Sequence, residues 1–189
     1  MKFIFTLTLK AVDRSLWYLR GSWLKIKIIS LGGKCSGIIR VGPNVYWKYP
    51  PHEGINISDG VEIGPGCYFD VPPDGKLMIG SNVKFTGGIY LSSLASVRIG
   101  SDSLIAEHCS IRDAEHITGL SLLINKQKSV CDSVSIGSDV WLCKGATVLR
   151  GSTIGDGAVI GAHSLVKNTV LDGQSIYVGA PVRFIKKRV

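Results

Sequence analysis

Apolar residues recur along most of this chain at a spacing of six. The series runs Ile57, Ile63, Phe69, then after short offsets Ile79, Phe85, Leu91 and Ile99, Ile105, Ile111, Ile117. After one longer interruption it resumes at Ile136, Leu142, Val148, Ile154, Ile160 and Val166. All sixteen positions are apolar, where a chain that is 45% hydrophobic would supply about seven by composition. Glycine follows the apolar residue at Gly64, Gly80, Gly100, Gly137, Gly155 and Gly161. Small or β-branched residues stand four after it, at Val61, Cys67, Val83, Cys109, Val140, Ala146, Ser152, Ala158 and Ser164. A period of six suits neither a helix nor an alternating hairpin sheet. It suits short strands joined by tight turns, three strands per coil, each with one inward apolar residue. Residues 57–74, 79–96, 99–116, 136–153 and 154–171 then form five stacked 18-residue coils. At a strand spacing of roughly 4.8 Å the stack is about 25 Å tall.

The first thirty residues follow another rule. Phe5, Leu9, Val12, Leu16, Leu19, Trp23 and Ile26 alternate spacings of four and three, an apolar stripe on a helix. Lys2, Lys10, Arg14, Arg20, Lys25 and Lys27 flank it, Trp17, Tyr18 and Trp23 add aromatic rings, and Gly21-Ser22 is expected to divide it into two helices. Two readings of this segment stand side by side. It packs on the first coil as a cap or within a trimer, or it lies on an anionic inner leaflet as a peripheral anchor.

Composition narrows the classes. With 23 Gly in 189 residues a bundle of long helices is excluded, and the aliphatic content excludes disorder. No stretch offers the roughly 20 apolar residues of a membrane span. Phe3 to Leu9 resembles a short secretory core, but no small-residue cleavage site follows it, so no signal peptide is expected. The net charge of +8 is concentrated at the ends: residues 1–30 carry +5, residues 183–189 carry +4, and the rest sum to −1. A neutral body with two basic ends argues against nucleic acid as a partner. The five cysteines are scattered without a CxxC pair, which points to a reduced, cytoplasmic chain without disulfides or zinc ribbon. Cys67 and Cys109 fall at inward small positions and read as packing.

The repeat, strongest in IGSDVWLCKGATVLRGSTIGDGAVIGAHSLV from Ile136 to Val166, resembles that of the hexapeptide-repeat acyltransferases. The closing VGAPVRFIKKR, Val178 to Arg188, is similar to that family's C-terminal segment, and sugar and capsule O-acetyltransferases are the nearest likeness within it. The resemblance implies an all-β, left-handed parallel β-helix. Its expected division is a helical segment 1–36, a β-helix 37–178 with a loop at 118–135, and a basic segment 179–189 forming a short helix. It also implies acetyl-CoA as donor, a saccharide acceptor in surface-polysaccharide synthesis at the cytoplasmic face of the membrane, and a homotrimer with active sites between subunits.

The longest break in the repeat lies between Ile117 and Ile136, directly after RDAEHI, Arg112 to Ile117. The resemblance carries the family's catalytic base to His116. Independently, acetyl transfer to a hydroxyl needs a base titrating near neutrality, and imidazole, with a pKa of about 6.5, meets that need. A carboxylate should hold the second ring nitrogen: the resembled family has its Asp two before the histidine, whereas here the acids stand three and one before it, so Asp113 and Glu115 are both candidates and Asp113 is favoured. His108, inside IAEHCS, is expected to face solvent on a strand, with the acceptor cleft as its alternative. Trp141 could stack on the sugar, wall the pantetheine channel or pack against a neighbouring subunit. The resemblance places acetyl-CoA against Lys144, Ala162, Lys167, Asn168, Arg183 and Lys186, the cations suiting its phosphates. No metal is expected, since the four histidines form no His-x-x-x-His pair. Two other readings remain: N-acetylation of a nucleotide-linked amino sugar, and a β-helix scaffold without catalysis.

Overall fold

The computed structural model describes residues 2–189, with side chains described from Val12 onward. Short strands stack in register into three parallel sheets that form the faces of a prism. Six full coils occupy 34–47, 55–70, 76–92, 96–112, 134–148 and 153–166, and Val170–Leu171 with Ser175–Val178 begin a seventh. Within each coil the first, second and third strands belong to the first, second and third faces.

Fifteen of the sixteen inward residues of the six-residue series are buried, as are all nine small residues beside them. Burial pushes the Cys109 thiol up to about 11, as expected of a packing residue. The exception is Ile117, 42% exposed, because the chain leaves the prism after Arg112 and returns at Val134. The fold is therefore the parallel β-helix of the repeat, with one coil more than the five counted. The extra one uses Cys35, Val41 and Trp47, whose mixed types hide their spacing of six. The expected C-terminal helix is instead a strand. Arg183–Lys187 pairs antiparallel with Ser175–Val178 and covers the last edge of the second face.

The N-terminal helix is continuous from Lys2 to Ser30. Gly21, expected as a break, is where the helix touches the first coil. A Cβ there would lie 1.9 Å from the Ile39 carbonyl oxygen, so only glycine permits the approach. Gly21, Leu24 and Ile28 face the prism and are buried. The 4-3 stripe points away: Val12, Leu16, Leu19, Trp23 and Ile26 are exposed. The helix thus packs on the first coil, as one of the two readings expects, through a face other than the stripe. The stripe side chains of Phe5 and Leu9 lie outside the described residues. Among the described residues, no helix is long and apolar enough to cross a membrane.

Candidate active site

Where the chain leaves the third face it forms a small hairpin. Ala114–His116 pairs antiparallel with Ser129–Cys131, His116 standing opposite Ser129. Residues 117–128 lie beyond it, with Leu120, Leu122, Leu123 and Ile124 exposed. The hairpin roofs an open cleft of ≈ 920 Å³ at the corner between the third and first faces. The floor is one column of the repeat: Asp70, Ser92, Arg112, Leu149 and Lys167, each immediately following an inward residue of the third face. His116, Thr118 and Ser129 form the rim, and the His116 ring is exposed there. Arg112 lies 4.5 Å over the Tyr90 ring, whose hydroxyl donates to Asp70.

The acids around His116 are both engaged elsewhere. Asp113 is fully buried; its carboxylate accepts from the Leu94 and Ala95 N–H groups at 2.7 Å each and from the Ser93 hydroxyl at 3.4 Å. It caps a turn of the coil below, and its partners in this structure are these groups and not the imidazole expected of it. Asp113 falls between the solenoid strand that ends at Arg112 and the hairpin strand Ala114–His116, so the path changes direction there and Glu115 does not share its inward face. Glu115 accepts from Lys167 Nζ at 2.8 Å and Arg150 Nε at 3.0 Å. The Lys167 ammonium first, and then Arg150, hold its carboxyl below the usual carboxylate range. Arg150 also pairs with Asp132, at the foot of the returning strand. One guanidinium therefore ties both legs of the hairpin to the solenoid. Sequence reading missed Arg150 and Asp132. Their signal is modest: Arg150 puts a charge at a corner where the next coil has Asn168.

Of the other candidates, the structure brings only Lys167 into the cleft. Asn168 is beside it at the same corner, in a left-handed conformation with φ 46°, its N–H donating to the Arg150 carbonyl. His108 sits at the opposite corner of the third face, in a left-handed turn with φ 61° rather than on a strand, and does not line the cleft. Lys144, 3.8 Å from Glu107, and the exposed Ala162 share that corner in the next two coils. Trp141 is 47% exposed on the second face, paired between Leu104 and Val159. Arg183 and Lys186 are exposed on the closing strand. The named residues thus form two groups on different edges of one protomer. Among the described residues, no group of three or more metal-ligating side chains occurs.

Comparison with known proteins agrees with this architecture. The family described as "Bacterial transferase hexapeptide (six repeats)" matches residues 133–168. "Probable acetyltransferase Rv3034c" of Mycobacterium tuberculosis is 37% identical over 99 residues, which is 52% of this chain and 33% of that protein. "Putative lipopolysaccharide biosynthesis O-acetyl transferase WbbJ" of Escherichia coli K12 is 33% identical over 107 residues, 52% of this chain and 54% of its own length. This chain therefore spans about a third of the first of these two relatives and about half of the second. Among solved structures, a mutant of AntD, an N-acyltransferase from Bacillus cereus in complex with dTDP and coenzyme A, superposes with a TM-score of 0.69. It covers 80% of this chain and 82% of that one at 23% identity, a likeness of fold.

Proposed function

We propose that this chain, which carries the hexapeptide repeat of the bacterial transferases, moves an acetyl group from acetyl-CoA to a saccharide hydroxyl, with His116 as general base. The observation that carries the reading is the placing of His116. It is exposed at the rim of a cleft, on a hairpin that the repeat does not require and that a guanidinium clamps in place. The relative named as a lipopolysaccharide O-acetyl transferase supports the choice of a hydroxyl on a surface polysaccharide.

In the proposed reaction His116 takes the hydroxyl proton as the alkoxide attacks the thioester carbon. The tetrahedral oxyanion is held by a backbone N–H and collapses, expelling coenzyme A thiolate. Lys144, Ala162, Asn168, Arg183 and Lys186 would line the donor groove, the cations meeting its phosphates, and Trp141 would wall it. Because Lys144, Ala162, Arg183 and Lys186 lie on other edges of the prism than His116 and Asn168, the groove is proposed to close between two copies in a homotrimer. Peripheral contact with the cytoplasmic face of a membrane through residues 1–30 would bring the enzyme to its acceptor.

N-acylation of an amino sugar is the second reading, favoured by the activity named for the AntD structure. Incubation with acetyl-CoA labelled in the acetyl group and a panel of saccharides and amino sugars separates the two. Label lost to hydroxylamine marks an ester and supports O-transfer; label that resists marks an amide. No saturable acetyl-CoA binding by the folded protein would overturn both and leave the scaffold reading.

A further inference from the structure

The outer face of the N-terminal helix and the crevice beside it share one chemistry. Val12, Leu16, Leu19, Trp23 and Ile26 form an exposed apolar line, widened by Ile29 and Leu31. A second helix of the same kind laid parallel to it is a poor cover. In heptad terms the flanking positions are Asp13, Arg20 and Lys27 on one side and Ser15, Ser22 and Ile29 on the other. A parallel pairing would bring no carboxylate to Arg20 or Lys27. An anionic surface answers both the apolar line and the helix cations.

Trp23 also lines a cavity of ≈ 570 Å³ where the helix meets the first coil. Leu31, Trp47 and Pro50 make apolar wall; Arg20, Lys27 and Lys48 supply cations, and no carboxylate lines it. Lys48 is shared with Asp70 at 2.9 Å. Lys27 Nζ rests 5.2 Å over the Trp23 ring. Two buried donors in these walls, Arg20 Nη1 and Trp47 Nε1, have no hydrogen-bond acceptor among the described residues. Native proteins rarely leave such groups unmet. Apolar walls, surplus cations and unmet donors together describe a receptor for an amphiphilic anion.

We infer that this cavity seats the phosphate headgroup of an anionic membrane lipid, with the lipid's acyl chains running against the exposed helix stripe. Arg20 and Lys27 meet the phosphate oxygens, Trp23 and Leu31 meet the first methylenes, and the helix lies along the interface. The inference rests on the membrane contact proposed above and not on the transfer chemistry.

The test is sedimentation of the full chain with vesicles of phosphatidylcholine alone or doped with phosphatidylglycerol, read without donor or acceptor. The expected result is co-sedimentation with the doped vesicles only, and loss of it in Leu16→Ser/Leu19→Ser. Arg20→Gln and Trp47→Phe should each weaken binding about tenfold in salt high enough to screen diffuse attraction, while Lys34→Gln, outside the cavity, changes it little. Lipids carrying a nitroxide quencher on the headgroup should quench tryptophan emission, and Trp47→Phe should lose part of that quenching, a readout that survives if Arg20→Gln fails to fold. Equal losses from Lys34→Gln and the cavity variants would overturn the headgroup site and leave a diffuse membrane contact. No vesicle binding, with Leu16→Ser/Leu19→Ser lowering the oligomeric mass instead, would overturn both and assign the stripe to a second copy of the chain.

Discussion

Two edges of the same prism carry histidine for different reasons. At one, His108 and His163 occupy left-handed turns, φ 61° and 54°, positions equivalent to those of asparagine, aspartate or glycine elsewhere in the coils. Their rings fold over the backbone of Gly88 and Gly145 in the coil below. The turn accounts for both of them. At the other edge His116 stands off the solenoid, and neither turn geometry nor packing calls for an imidazole. A residue that its fold does not explain is the better candidate for chemistry.

The sharpest way to break this contrast is His116→Ala against His108→Asn and His163→Asn. Loss of the base should lower the transfer rate by about 10²- to 10⁴-fold with an unchanged melting temperature. The asparagine variants suit the left-handed turn and should keep both rate and stability close to the parent. A rate loss in His108→Asn as large as in His116→Ala would erase the distinction between the two edges.

Next in size is Asp113→Ala. If the carboxylate is a cap, its removal orphans the Leu94 and Ala95 N–H groups and should cost about 2–4 kcal/mol in denaturant unfolding. A variant that instead keeps its stability and loses activity would restore Asp113 as the group orienting His116.

The engagement of Asp113 away from His116 shows what the chain made legible. The spacing of six located the buried column because inward packing demands an apolar residue at each step, and Ile117 failed only where the path left the prism. The proposed base was visible as a histidine beside the break. Its surroundings were not, since nearness in sequence does not tell which way a side chain points: Asp113 turns in, Glu115 out. The cleft floor becomes legible only when coils are stacked, because Asp70, Arg112 and Lys167 are far apart in sequence but stand in alternate coils of one column. The helix stripe was read correctly as apolar, while the face that meets the prism was set by Gly21, whose missing side chain leaves no mark in a hydrophobic pattern.

The clamp offers a subtler break. Arg150→Met removes the tie to Glu115 and Asp132 and should lower kcat about tenfold by loosening the hairpin, with acetyl-CoA affinity little changed. The same tie gives a pH dependence. Glu115 titrates lower in the folded chain than in the unfolded one, so its contribution to stability is complete above the ordinary carboxylate range. It is lost as pH falls through the lowered value. Acid unfolding followed at constant salt should show this loss in the parent and not in Glu115→Gln.

The smallest expected effect lies at the histidine turns themselves. Gly145 has φ 68°, and a Cβ there would come within 2.5 Å of His163 Nδ1. Gly145→Ala should therefore cost about 1–2 kcal/mol, part from the left-handed backbone and part from displacing the ring. Combining it with His163→Asn removes the ring and leaves the backbone strain, so the double variant should recover about half of the loss, measured as a double-mutant cycle in thermal unfolding. Full additivity would mean that the ring swings clear at no cost. His163 would then be held by the turn alone and left free to serve the proposed donor groove beside Ala162, and this edge would have a chemical use for its histidine too.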